Sequence, residues 1–416
     1  MKHSSFDIRT RRCLNLVTAA AFITVGLIST AHAQSKSPLK LGILSDMSSA
    51  YADLAGPGSI VAAQMAIDDY GGSVAGRKIQ LVSADHQNKT DVGVSIASKW
   101  LDSDGVSAIF DLPTSSVALA VQAMAKSRPE KMVVITSGFS SDLAGKACTP
   151  NSVEVGINTY AIARSVSTAL VNDGYKKWFY VQVDNLGGVS MYNDSSASVK
   201  QAGGSVVGLV KFPIGATDLS SQILQAQAAQ PQVLALTMGG GDTVTALKTV
   251  KEFGLRDSGA RLFAQSFDVT DINAVGLGVA QDTYVSLTYY WDENEETRAF
   301  ARRFLEKHKK MPTQYQATLY VGFTHYLRAV EALGGDDRAT VVAPKMRELK
   351  IKEFGKETGT VREDGQFMRD ILLGRVKKEG TSKYPWDYVE VVRTVPAAEA
   401  FKPLSESECP LVKKAG

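Results

Sequence analysis

The stretch that decides the fold runs through residues 39–135: LKLGIL (39–44), VAAQMAIDDY (61–70), IQLVSA (79–84), DVGVSIASKWL (91–101), AIF (108–110), SSVALAVQAMA (115–125) and MVVI (132–135). The short apolar runs read as strands. The longer segments carry apolar residues at helical period, as at Val61, Ala62, Met65 and Ala66. Strand, helix, strand at this spacing implies right-handed crossovers onto a parallel sheet. A turn-rich break at Thr149-Pro150-Asn151-Ser152 interrupts the rhythm, which restarts with helix 159–171, strand 178–183, helix 189–201 and strand 205–211. Helix 220–229, strand 233–237, helix 242–253 and strand 261–265 continue it. Two successive sets predict an α/β protein of two similar lobes, each a mostly parallel sheet flanked by helices.

After about Ser286 the pattern changes to amphipathic helices at 295–309, 314–333 and 339–349, followed by weaker β-like segments at 367–377 and 388–392. If these helices pack back on the first lobe, the chain crosses between lobes three times. The crossings would act as a hinge and the cleft would hold a ligand. The expected division is 34–156 plus 287–362 for the N-terminal lobe, 157–286 plus 363–395 for the C-terminal lobe, and a tail at 396–416.

Ahead of this lies a basic region (Lys2, Arg9, Arg11, Arg12), an apolar run over 14–28, and Ala31-His32-Ala33 before Gln34. This reads as a secretory signal peptide, 1–33, removed from a periplasmic protein; the alternative is an uncleaved anchor, for which the run is short. Cys13 lies inside the run, which argues against a lipid anchor. The formal net charge of +3 is carried by the leader, so the remainder is near neutral and offers no basic patch for nucleic acid or an anionic membrane. The remainder is also longer than one compact core usually accommodates.

Cys148 and Cys409 form one pair in a compartment that permits disulfides and are expected to be bonded, the alternative being two independent thiols. Neither lies in a CxxC, and no His pair has metal spacing, so no cofactor or metal is expected. His308 sits among lysines on a solvated face, His325 on an apolar helix, and His86 in a polar loop that is either a surface turn or a cleft lining. No nucleophile elbow or P-loop is present. Gly239-Gly240-Gly241-Asp242 follows a strand and opens a helix, exposing amides to an anion. Thr114-Ser115-Ser116 and 136–141 are hydroxyl-rich turns after strands. Each alone is explained by helix capping; together at one sheet edge they suggest a ligand cradle.

These residues resemble a type I periplasmic solute-binding protein of the branched-chain amino-acid class, which serves ATP-driven importers. The resemblance rests on LGILSDMS (41–48), the turn and helix of 56–70, GRKI (76–79), Thr114-Ser115-Ser116, 135–143 and GTVREDG (359–365). It implies that Thr114, Ser115, Gly138 and Ser140 hold a ligand's carboxylate and amino groups. It also implies that Tyr160 lines the cleft from the hinge side, and that Asp184, Asn185, Gly239 and Gly240 close from the second lobe. Where amino-acid binders carry a Glu for the ammonium, this chain has Gln265-Ser266-Phe267-Asp268. Asp268 could replace it; Phe267 there would favour a ligand without an ammonium. Tyr51, Phe139, Tyr160 and Phe267 are candidate aromatic walls. The implied function is capture of an amino acid or a small, aromatic or aliphatic, carboxylate and its delivery by a monomer to a membrane permease. The alternatives are a periplasmic sensor for a receptor and a secreted α/β enzyme.

Overall fold

The computed structural model describes residues 37–413; the segment read as a leader lies outside them. The strands in chain order are β1 Leu39–Ser45, β2 Ser73–Val74, β3 Arg77–Asp85, β4 Ala108–Asp111, β5 Met132–Ile135, β6 Ser152–Glu154, β7 Lys177–Val183, β8 Ser205–Phe212, β9 Val233–Gly239, β10 Arg261–Ser266, β11 Thr283–Leu287, β12 Ile351–Glu353, β13 Lys356–Val361, β14 Phe367–Met368, β15 Ile371–Val376 and β16 Val389–Val395. The helices are α1 Gly56–Asp69, α2 Thr90–Asp102, α3 Ser115–Ala125, α4 Thr159–Asn172, α5 Leu186–Gln201, α6 Ser220–Ala228, α7 Gly241–Glu252, α8 Val269–Val275, α9 Leu277–Ala280, α10 Glu295–His308, α11 Gln314–Ala332, α12 Ala339–Glu348 and α13 Ala397–Ala400. Among the described residues no helix is long and apolar enough to cross a membrane.

A first sheet has the order β2-β3-β1-β4-β5-β6 and a second the order β16-β15-β11-β10-β9-β7-β8. All pairings are parallel except β2–β3 in the first sheet and β11–β15 and β15–β16 in the second. Helices cover both faces of the central strands, which is why β4, β5 and β9 are apolar almost throughout and wholly buried. At the edge, β8 instead alternates between exposed and partly buried positions.

The late helices return to the first sheet: α11 packs along α1 and stacks Phe323 on Phe110 of β4 at 4.7 Å between ring centroids. His325 belongs to this core, its Nε2 lying 2.8 Å from the Met346 carbonyl oxygen. The chain passes from the first sheet to the second after β6, leaves the second after β11 for the late helices and a small third sheet of order β12-β13-β14, and returns to the second after β14. The third passage is fixed by buried Arg369, which pairs with Glu353 at 2.8 Å. Two sequence expectations change here. The break at 149–152 contains the start of β6, and the β-like segment 367–377 is two strands in different sheets, β14 and β15. Beyond β16 the tail packs α13 against α4 and buries Phe401. It ends in a disulfide from Cys409 to Cys148 in the loop before β6. The expected bond is therefore present, and it forms a fourth covalent link between the two halves.

Candidate ligand-binding cleft

In the first sheet β1 lies between β3 and β4, and in the second β7 lies between β8 and β9, so a crevice opens at the carboxyl ends of β1 and β4 and of β7 and β9. The two crevices face each other. Their loops enclose a small cavity lined by Tyr51, Pro113, Thr114, Ser115, Ser116 and Phe139 from the first half. The second half contributes Val183, Asn185, Leu186, Gly187, Gly188, Met191, Met238, Gly239 and Ser266.

The turn into α3 is shaped by backbone strain. Asp111 (φ 88°) and Leu112 (φ 67°) both adopt left-handed conformations that ordinary residues avoid. Buried Asp111 accepts hydrogen bonds from the Ser137 and Thr136 hydroxyls, and the turn delivers Pro113–Ser116 to the cleft. A polar network supports it from behind: Thr114 donates to Asn88 Oδ1, and Asn88 Nδ2 donates to Asp46 Oδ2 at 2.9 Å. Asp46 also accepts from the Ser49 hydroxyl and the amides of Ser48, Ser49 and Tyr51. His86 lies below this network, buried, and accepts from the Asn88 amide through Nδ1 at 3.1 Å; burial lowers its pKa to about 4.

Helix α3 has no side-chain cap, so its first amides are open to the cavity. The Ser115 hydroxyl is buried without a hydrogen-bond partner. Opposite it, Asn185 caps α5 by accepting from the Gly188 amide at 2.8 Å, and its Nδ2 donates to the Tyr51 hydroxyl at 3.3 Å. Burial pushes the Tyr51 phenol up to about 12. Ser140 meets Ser190 of α5 at 2.9 Å between hydroxyl oxygens. Gly240 (φ 58°) approaches so closely that a Cβ there would lie 2.2 Å from the Ala50 carbonyl oxygen. The two halves are thus in contact across the cleft.

Of the residues expected at the site, Tyr51, Thr114, Ser115, Phe139, Asn185 and Gly239 line the cavity. Gly138, Ser140 and Gly240 lie beside it. Tyr160 lines a different groove, with Arg164 and Arg393. Asp184 turns outward to pair with Lys211 at 3.2 Å. Phe267 is fully buried in the core. Asp268 caps α8: its Oδ1 accepts from the Val269 amide at 2.7 Å and its Oδ2 from the Gln314 amide at 3.0 Å, tying α8 to α11. Sequence reasoning missed Met191, Met238, Ser266 and the 186–188 turn. The Asn185 cap signal placed directly after a strand could have located the last of these.

Asp268 also donates its amide to Asp271 Oδ2 at 3.0 Å. Burial raises the pKa of Asp268 to about 6 and that of Asp271 to about 8. Both lie above the unfolded carboxylate value, so the folded state holds these protons more tightly. That stabilisation is complete below about pH 4 and is lost as pH rises through about 6 and then 8. Asp271→Asn keeps an acceptor for the Asp268 amide. It is expected to flatten the loss between pH 6 and 8 and to raise stability at pH 8 relative to the wild type. Urea unfolding at the two pH values reads this; an unchanged pH slope refutes the assignment.

Two mostly parallel sheets with facing carboxyl edges and a cleft between them define a two-lobed binding protein of the type I periplasmic class. The chain belongs to the periplasmic binding protein family, whose model matches residues 38–381. It is similar to the crystal structure of a periplasmic binding protein from Burkholderia mallei, with 37% identity, a TM-score of 0.87, and coverage of 90% of this chain and 99% of that one. A branched-chain amino-acid ABC transporter periplasmic ligand-binding protein from Burkholderia xenovorans is 39% identical with a TM-score of 0.81, covering 90% and 100%. A Leu/Ile/Val-binding protein homolog from Brucella melitensis is 24% identical over 83% of this chain and 89% of its own length.

Proposed function

We propose that this chain is the extracytoplasmic solute-binding component of an ABC importer. After removal of residues 1–33 it captures an amino acid or small carboxylate in the periplasm and presents it, as a monomer, to a membrane permease. The observation that carries this reading is the cavity between facing strand ends, where the open amides of α3 and the Ser115 hydroxyl meet the first turn of α5. The moving bodies are 34–156 with 287–368, and 157–286 with 369–395. Pairing of β14 with β13 supports placing the last exchange after Met368 rather than at the 362/363 boundary expected from sequence. Ligand binds both bodies at once and shifts an open form to a closed one; the permease reverses this by favouring the open form. The site holds the solute by hydrogen bonds and apolar walls and returns it unchanged.

The test is small-angle scattering of the purified mature chain with and without ligand, followed by reconstitution with its permease. A fall in radius of gyration on binding and ligand-dependent uptake are expected. Binding without any change in shape, or chemical conversion of the ligand, overturns the reading.

A further inference from the structure

The charges around the cleft restrict what can occupy it. No residue lining the cavity carries an ionised side chain. Its walls are the rings of Tyr51 and Phe139 and the side chains of Met191 and Met238, soft surfaces suited to a flat apolar body. Its polar elements include donors from both halves. The uncapped amides of α3, an 11-residue helix, and the first turn of α5, a 16-residue helix whose Gly188 amide is already capped by Asn185, approach from opposite sides. The Ser115 hydroxyl, in a residue only 4% exposed, has no partner there. A Cβ built on Gly187 of α5 would lie 3.4 Å from that hydroxyl oxygen, so the gap between the two helix ends is narrow. Helix ends of this polarity attract an anion and repel a cation.

An amino acid also needs a partner for its ammonium, since a buried cation without one is strongly disfavoured. The carboxylates nearby are otherwise engaged. Asp46 accepts from four residues of its own network, and both oxygens of Asp268 cap helices. Asp111 holds Ser137 and Thr136 through Oδ1; its Oδ2 is buried without a partner, but the residue does not line the cavity. Asp242 accepts from the Gly215 amide at 2.9 Å; its second oxygen is buried without a partner, but the residue does not line the cavity.

We propose that the ligand is a small monocarboxylate with an aromatic body and no ammonium group, its carboxylate seated on Ser115 between the amino ends of α3 and α5. This rests on the binding-protein reading above and narrows it to one substrate class. The lack of a lining cation opposes dicarboxylates, which would leave a second charge unpaired.

Calorimetric titration of the mature chain with benzoate, 4-hydroxybenzoate, benzamide, L-phenylalanine and L-leucine tests it. The two arylcarboxylates are expected to bind, with benzamide and both amino acids at least a hundredfold weaker. Ser115→Ala should weaken benzoate about tenfold. Ser115→Asp suits a helix first turn and so preserves the fold, but it should abolish benzoate binding by repulsion. Tighter binding of either amino acid, and above all its loss in Asp242→Asn, would assign an ammonium site and overturn the proposal while leaving the binding-protein reading intact. Benzoate binding indifferent to both Ser115 variants overturns the seat. If no probe binds, the proposal fails; scattering with a pooled set of neutral and cationic solutes then decides the broader reading, which stands if the chain closes on one of them and falls if it does not.

Discussion

Cys148→Ser is expected to destabilise the protein by roughly 3–5 kcal/mol under oxidising conditions. The bond closes a loop with a sequence separation of 261, and a cross-link over so long a loop removes much of the freedom of the unfolded chain. Both sulfurs are buried, and the tail they anchor carries Phe401 into the core and gives the Lys402 carbonyl to Arg362 at 2.8 Å. Cys409→Ser should match it, and reductant should bring the wild type down to the variants while leaving them unchanged. Denaturant unfolding reads all three. Variants as stable as the oxidised wild type would show that the bond only fastens an otherwise independent tail.

Gly240→Ala is expected to reduce ligand affinity at least a hundredfold while the unliganded protein stays folded. The backbone there (φ 58°, ψ −134°) lies in a region open essentially to glycine alone, and an added Cβ would stand 2.2 Å from the Ala50 carbonyl oxygen. Because Ala50 follows β1 and Gly240 precedes α7, the clash exists only when the halves are in contact. Strain alone should lower the stability of the open form by about 1–3 kcal/mol, whereas the clash acts on closure. Affinity by calorimetry and radius of gyration by scattering separate the two effects. Wild-type affinity in the variant would mean that closure does not bring these loops together.

The fold was legible where burial wrote it into the sequence. Strands covered on both faces are continuous apolar runs, and the helices between them show clear period, so α3 and β5 fall on the residues read from sequence. Strand β6, Ser-Val-Glu, is three residues long and offers too little pattern to distinguish it from a turn. The β12–β13 hairpin is mostly polar and partly exposed, so it lacks the alternation that marks a half-buried strand.

The strand-end rule pointed to Thr114, Ser115 and Gly239, the family resemblance to Asn185, and the reading of aromatic walls to Phe139; all five line the cavity. Rotational phase was not legible. Tyr160 sits in the first turn of α4, but on the side facing the tail. Asp268 and Phe267 follow a strand end as a ligand residue would, yet one is consumed by helix capping and the other by core packing. Met191 and Met238 resemble ordinary core residues in sequence, and only the meeting of two halves turns them into a wall.

The contacts across the cleft include hydroxyl to hydroxyl at Ser140 and Ser190, amide to phenol at Asn185 and Tyr51, backbone against backbone at Gly240 and Ala50, and two hydrogen bonds to carboxylates, from the Ser141 hydroxyl to Asp194 at 2.8 Å and from the Gln314 amide to Asp268 at 3.0 Å. Among the described residues, no ion pair joins the two sets of loops. Added salt screens exposed charges over a length of about 10 Å at 0.1 M but leaves neutral hydrogen bonds and packing nearly untouched. The contacts between the two sets of loops, hydrogen bonds and packing without an ion pair, are therefore expected to weaken little as ionic strength rises, whereas the attraction of the helix ends for an anion is the part that salt screens.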